Sequence, residues 1–243
     1  MLKLLNLGCG GKTSDKPGVI NIDWSIYLRV KRNKVLHPFV PLVLRGKRLE
    51  KFNSIPDNIM VYNLAKGIPF ETGSVDVVYH SHMLEHLDRD IAEQFLLEVR
   101  RVLKPGGIHR ISVPDMEKLC KEYLEHIVFC ETNPDAAAAH DSSIDPILEQ
   151  CVRREAYGAR QQTPVRRFIE NRIIGDARKR GETHQWMYDR INLKSKLLNA
   201  GYKEVIVQKY NTSLIPDWND YGLDVDKNGN QYKTESLYIE AVK

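Results

Sequence analysis

Leu2-Lys3-Leu4-Leu5-Asn6-Leu7-Gly8-Cys9-Gly10-Gly11 opens the chain with an apolar run that ends in three glycines within four positions. A strand that runs into a glycine turn lets bare backbone N–H groups come close to a ligand, where any Cβ would collide with it. Further along, Val19–Ile22, Val75–Tyr79 and Ile108–Val113 are short β-rich runs bounded by Gly, Pro or polar turn residues. Between the last two, Ile91, Phe95, Leu96, Val99, Val102 and Leu103 recur at helical spacing, and Lys104-Pro105-Gly106-Gly107 reads as the stop of that helix. A helix over Leu193 to Asn199 leads past Gly201 into Val205–Gln208, and Ser236–Val242 reads as a closing strand. Strands that alternate with helices predict an α/β fold around a parallel sheet.

At 243 residues and 28.0 kDa, with 42% apolar and 28% charged residues, the chain suits one well-buried core, a single domain over 1–243. Two stretches differ in texture and read as insertions: 25–58, basic and interrupted by prolines, and 116–183, mainly helical. The net charge of +4 is unevenly spread. Residues 29–51 carry +7 and residues 153–180 carry +6, so the remainder sums to −9, which points to an anionic partner or to solvated basic faces. The apolar run Val35–Leu44 is broken by His37, Pro38 and Pro41, well short of the roughly 20 apolar residues of a membrane span. The amino terminus lacks an A-x-A-like cleavage site, so a cytoplasmic location is expected. Cys9, Cys120, Cys130 and Cys151 have neither the density of a disulfide framework nor C-x-x-C spacing, and read as reduced thiols.

The glycine turn excludes two nucleotide classes. A dinucleotide fingerprint needs a glycine where Thr13 stands and an acid about 20 residues on, whereas Asp23 follows Gly10 by 13. No G-x-x-x-x-G-K-[ST] frame surrounds Lys12-Thr13. Asp23 closes the second strand, where one carboxylate can accept both hydroxyls of a ribose, and Trp24 beside it offers a flat surface to a purine or to the core.

The glycine turn, Asp23, the block Gly67-Ile-Pro-Phe-Glu-Thr-Gly-Ser-Val-Asp-Val-Val-Tyr-His-Ser-His-Met-Leu-Glu-His-Leu87 and Leu103-Lys-Pro-Gly-Gly107 together resemble the class I S-adenosylmethionine (SAM)-dependent methyltransferases, in particular their small-molecule, type 11-like group. The likeness covers about residues 3–115 and returns over Gly181–Val205. It implies a doubly wound, Rossmann-like seven-stranded sheet with its last strand antiparallel, a basic insertion after strand two and a helical one after strand five. It places the methionine part of SAM at Gly8, Cys9 and Gly10, the ribose at Asp23, adenine near Trp24, Asn63 and Leu64, and His80 near the sulfonium. Asn6 and Asn63 stand where the family usually has acids; an amide oxygen can still accept from the adenine amine, while Asn6 leaves less negative charge near the cation. Only residues 8–18 join strands one and two, so the crossover helix should be rudimentary and the pocket open on one side unless 25–58 covers it.

Two motifs compete. His82-Met83-Leu84-Glu85-His86 matches the H-x-x-E-H of inverted zinc peptidases, but it follows a strand inside the methyltransferase pattern and no third ligand is evident, so no metal is assigned. Asp224, Asp226, Asn228, Gly229 and Glu235 fit the EF-hand formula, yet a strand follows rather than a helix, and the segment reads as a tight turn.

Methyl transfer to a hydroxyl needs a base within hydrogen-bond reach, and to an amine only a neutral lone pair. His82 and Asp115, each just after a sheet strand, rank first as candidate catalytic groups, and His184 third. Resemblance of Gly181–Leu193 and Ser236–Ala241 to glycan and natural-product enzymes favours O-methylation of a sugar, glycan or other small, anionic acceptor. The alternatives are an RNA or protein methyltransferase using the basic insertions, with nucleic acid disfavoured because no RNA module is present, and a non-catalytic or membrane-surface SAM-fold protein that contacts lipid through 29–51.

Overall fold

The computed structural model describes residues 1–137, 140, 142–144, 147, 148 and 183–243. The basic stretch 153–180 and Cys151, both singled out in the sequence, lie outside the described residues.

Strands β1 (Leu4–Leu7), β2 (Val19–Asp23), β3 (Ile59–Val61), β4 (Val75–Ser81), β5 (Leu103–Pro114), β6 (Glu204–Gln208) and β7 (Ser236–Val242) form one sheet in the order β3-β2-β1-β4-β5-β7-β6. The pairs from β3 to β5 are parallel, and β7 runs antiparallel to both β5 and β6. This is the seven-stranded Rossmann-like sheet with an antiparallel last strand. The sequence patterns named six of these strands and missed β3, which is only three residues long with a single buried position, too short to show a period. Lys104-Pro105-Gly106-Gly107 does not merely stop a helix: it belongs to β5, and the pairing with β4 shifts register there.

One face of the sheet is covered by helices. In α4 (Arg89–Val102), Ala92, Phe95, Leu96, Val99 and Val102 are buried at helical spacing. They meet Leu5, Leu7, Val78 and Ile111 of the strands. Five more helices occur in chain order: α1 (Ile26–Arg32), α2 (Val40–Val43) and α3 (Lys47–Asn53) before α4, and α5 (Met116–Thr132) and α6 (Pro134–Ala137) after it. A seventh, α7 (Arg190–Asn199), adds Leu193 and Leu197 to the same core and starts with a capping box in which Asp189 Oδ1 accepts from Ile191 and Asn192 N–H at 2.7 and 2.8 Å.

The opposite face is covered by the β6–β7 connection. Ile215, Trp218 and Leu223 pack on Leu4, Val77 and Tyr79. Arg110 of β5 fastens this cover: fully buried, it donates to Asp224 Oδ2 (2.8 Å), Glu240 Oε1 (2.6 Å) and the carbonyls of Thr212 (2.9 Å) and Lys209 (3.0 Å), under the Trp218 ring. Asp224 also accepts from Tyr79 Oη (2.6 Å) and Trp218 Nε1 (2.9 Å). With Asp224 committed there, the EF-hand formula has lost its first ligand. Asp226 instead accepts from the N–H groups of Asn228 and Asn230, the tight turn that the sequence suggests.

The expected rudimentary helix between β1 and β2 does not form; residues 8–18 are turns and extended chain. Side-chain amides replace it: Asn6 Nδ2 donates to the Lys12 carbonyl and to Asn21 Oδ1, both at 2.9 Å, and Asn21 Nδ2 donates to the Ser14 carbonyl at 3.0 Å. Asn6 thus holds the glycine loop.

Asp224→Ala would leave Arg110, Tyr79 and Trp218 with buried, unpaired donors. It should lower the free energy of unfolding by about 3–5 kcal/mol, measured by chemical denaturation.

Candidate active site

In an open α/β sheet, ligands sit beyond the carboxyl ends of the strands where the strand order reverses, here between β1 and β4. Gly8 leaves β1 and His82 leaves β4 on either side of that point. Gly8 and Gly10 have φ of 61° and 54°, the left-handed region that favours glycine. A Cβ on Gly10 or Gly11 would meet no atom within 4 Å, so bare backbone there faces open space; a Cβ on Gly8 would lie 2.6 Å from Met83 Sδ.

The Asp23 carboxylate points at this loop: Oδ2 accepts from Gly10 N–H (2.9 Å) and Oδ1 from Ser25 N–H (2.6 Å). Each oxygen keeps a further lone pair for a hydroxyl donor. Tyr62 N–H donates to the Asp23 carbonyl (3.0 Å), which sets Asn63 and Leu64 beside it. Asn63 Oδ1 caps the next turn through Ala65 N–H (3.0 Å), leaving its amide nitrogen outward-capable. Leu64 is half-buried against the core. Trp24 is 43% exposed and carries the Arg29 guanidinium 4.4 Å from its ring centroid. The Cys9 thiol turns away from the loop into a small core with Leu28 and Ile59, and burial pushes it up to about 12, so only its backbone faces the crevice. In the same core Leu28 brings α1 of the basic insertion against the glycine loop. His80 is a correction: it is fully buried, with its ring against Phe95 and His109, and burial pulls it down to about 3, so it supports the core rather than lining an open pocket.

His82 and His184 do come together. They line one cavity of about 330 Å³ with His86, Lys233, Thr234 and Glu235. His82 adopts left-handed backbone (φ 49°), an unusual conformation for a non-glycine residue, with its N–H on the Ser112 carbonyl (2.9 Å). Its Nε2 is 2.8 Å from Ser236 Oγ and its Nδ1 3.5 Å from Glu85 Oε1. Asp115 is not among the residues lining this cavity, although its neighbour Pro114 is; its side chain caps α5 through Lys118 N–H (3.3 Å), and half-burial raises its carboxyl.

Glu85 is the residue that sequence reasoning passed over, although the H-x-x-E-H spacing was its signal. It lies in a single 3-10 turn, Leu84–His86. It is fully buried, and neither carboxyl oxygen has a hydrogen-bond partner among the described residues. Burial raises it to about 8, despite Lys233, so it keeps its proton near neutral pH. Burial, then Lys233, His184 and His86, pull His82 down to about 3, leaving a neutral imidazole. The donor atoms of Glu85, His86 and His184 lie within 4.8 Å of one another.

Residues 43–111, which span β3, β4, α4 and most of β5, match the model of a family described as a methyltransferase domain. Similar solved structures include a SAM-dependent methyltransferase from Archaeoglobus fulgidus, 15% identical over 100% of this chain and 86% of that one, with a TM-score of 0.42. Others are an O-methyltransferase candidate from Nostoc punctiforme (15%, 100% and 52%, 0.46) and a SAM-dependent methyltransferase from Mesorhizobium loti (13%, 100% and 91%, 0.41). A comparison with curated proteins gives no match. Residues 43–111 are thus similar to a methyltransferase domain, and the strand order is that of a Rossmann-like sheet with an antiparallel last strand.

Glu85 retains its proton in the fold up to about pH 8, whereas the unfolded chain releases it above about pH 4.5. Its contribution to stability is therefore complete below pH 4.5 and is lost as pH rises to about 8. The difference in unfolding free energy between the wild type and Glu85→Gln should shift by about 4 kcal/mol over that window. His80 and His82, shifted the other way, act below pH 6.5 and cancel in the comparison.

Proposed function

We propose that the chain is a SAM-dependent methyltransferase that methylates a hydroxyl of a small polar acceptor, a sugar or glycan with an anionic group, with His82 as the base that receives the hydroxyl proton. The observation that carries this is the polar cavity beside the switch point, in which His82, His184, Lys233 and Glu235 surround a space the size of a small molecule. SAM supplies a methyl group already activated on a sulfonium. The loop backbone at Gly8 and Gly10 and the Asp23 carboxylate are suited to orient its methionine and ribose parts, and Asn63 to take a hydrogen bond from adenine.

His82 Nε2, now beside Ser236 Oγ, is the atom that would accept the proton as the oxygen nucleophile forms, and Glu85 Oε1, 3.5 Å from Nδ1, would hold the ring in that orientation. Lys233 gives the cavity a cation for a carboxylate or phosphate on the acceptor. His184, which lines the same cavity, is then a positioning group.

Calorimetry with SAM tests the cofactor half. Asp23→Ala should weaken binding by about 1–3 kcal/mol, and unchanged affinity would refute the ribose placement. Transfer of labelled methyl to sugar-nucleotide and glycan pools tests the acceptor half, where His82→Gln should lower kcat by about 10²- to 10⁴-fold with little change in SAM affinity. Methylation confined to RNA, with steep salt dependence, would replace the small-molecule reading.

A second surface favours a lipid contact. Val35, Phe39, Leu42 and Val43 are exposed, at 59–80%, on the α1–α3 connection, with Arg29, Lys34, Arg45, Lys47 and Arg48 in the same segment. No helix among the described residues is long and apolar enough to cross a membrane. Apolar side chains flanked by cations suit the interface of an anionic bilayer. Co-sedimentation with phosphatidylglycerol vesicles should be lost at high salt and in Leu42→Glu/Val43→Glu; equal pelleting with neutral vesicles would overturn the assignment.

A further inference from the structure

The far half of α5 carries a cluster that the methyl-transfer site does not use. His126 and Cys130 are one helical turn apart on α5, so they share a face. His140, beyond the helix, turns its ring onto them. His126 Nδ1 and His140 Nδ1 lie 3.1 Å apart, and Cys130 Sγ is 3.4 Å from the first and 3.9 Å from the second. The two imidazoles are nearly parallel, 25° between planes, and all three residues are half-buried.

Hydrogen bonding alone accounts poorly for this arrangement. Two neutral imidazole nitrogens at 3.1 Å need one protonated and one bare, and a thiol aimed between them has a single weak proton to offer. A metal ion satisfies all three lone pairs at once. Zn–N bonds of about 2.0–2.1 Å and Zn–S bonds of about 2.3 Å, at tetrahedral angles, separate nitrogen from nitrogen by about 3.4 Å and sulfur from nitrogen by about 3.6 Å. The two observed sulfur–nitrogen separations bracket the second edge, and the nitrogen–nitrogen separation falls about 0.3 Å short of the first.

We propose that His126, Cys130 and His140 bind a zinc-class divalent cation, with Cys130 as thiolate and the fourth position open to water or an outside ligand. The donors suit zinc, being two borderline imidazoles and one soft sulfur, and do not suit calcium or magnesium, which take oxygen. The usual sequence signal for zinc is a pair of cysteines, whereas here one cysteine joins a histidine at i−4 and another ten residues on. A neighbouring cavity of about 210 Å³, lined by Glu122, Tyr123, His126 and Glu235, gives the open position a path to solvent. The ion would tie α5, whose Leu119 lines the cavity beside His82, to His140.

The test uses the full chain, stripped with chelator and titrated with zinc and with cobalt(II). The expected result is one zinc bound per chain, a rise in melting temperature, and a thiolate-to-cobalt charge-transfer band. Cys130→Ser should remove that band and weaken zinc binding by at least the roughly 100-fold that loss of a supporting hydrogen bond can cost, while Cys120→Ser keeps both. A wild-type cobalt spectrum with no thiolate band, or wild-type zinc uptake no greater than that of Cys130→Ser, would overturn the proposal. The wild-type spectrum decides it even if a variant fails to fold.

Discussion

The structure depends on one buried cation. Arg110 sits in the middle of β5 with no exposed surface, and its guanidinium reaches two carboxylates and the carbonyls of a connection about a hundred residues away in sequence. Desolvating an arginine is costly unless its donors are matched, and here matching is supplied by Asp224, Glu240 and the backbone of 209–212. The result is that an irregular segment, with little regular hydrogen bonding of its own, lies on a sheet face that a helix would ordinarily cover.

That cover reaches the glycine loop. Lys12 Nζ donates to the Val225 carbonyl at 2.8 Å and lies over the Tyr232 ring, so the loop after β1 is held from one side by the β6–β7 connection and from the other by the Asn6 and Asn21 amides. The same connection delivers Lys233 and Glu235 to the cavity that His82 and His184 line. A missing helix and a polar cavity are thus two consequences of one long loop, pinned by Arg110 at its base.

Much of this was legible in the sequence, for identifiable reasons. Strands β1, β4 and β7 and helix α4 have strong periodicity and clear stops, and six of the seven strands could be placed. The pointing of Asp23 toward the glycine turn was also foreseeable, because a strand-end acid next to a short loop has few other places to go. The three-residue β3 carries no period. His80 followed the family pattern to the strand end, yet alternation along β4 turns it to the helix-covered face with Val78. Glu85 was hidden because a carboxyl in a charged, polar string looks solvated until its burial is known. The His126, Cys130 and His140 grouping depends on a chain reversal after α5 that no local pattern announces.

Met83 brings a last consequence. Its thioether stands against Gly8, at the spot where the first loop glycine opens the crevice. Methionine is unbranched and readily changes rotamer, so the loop rests against a side chain that can yield. A stiff β-branched side chain there could not follow a shift of the loop, and a small one would leave a gap beside Gly8. The position of the first loop glycine is therefore coupled to the freedom of one flexible sulfur-bearing chain.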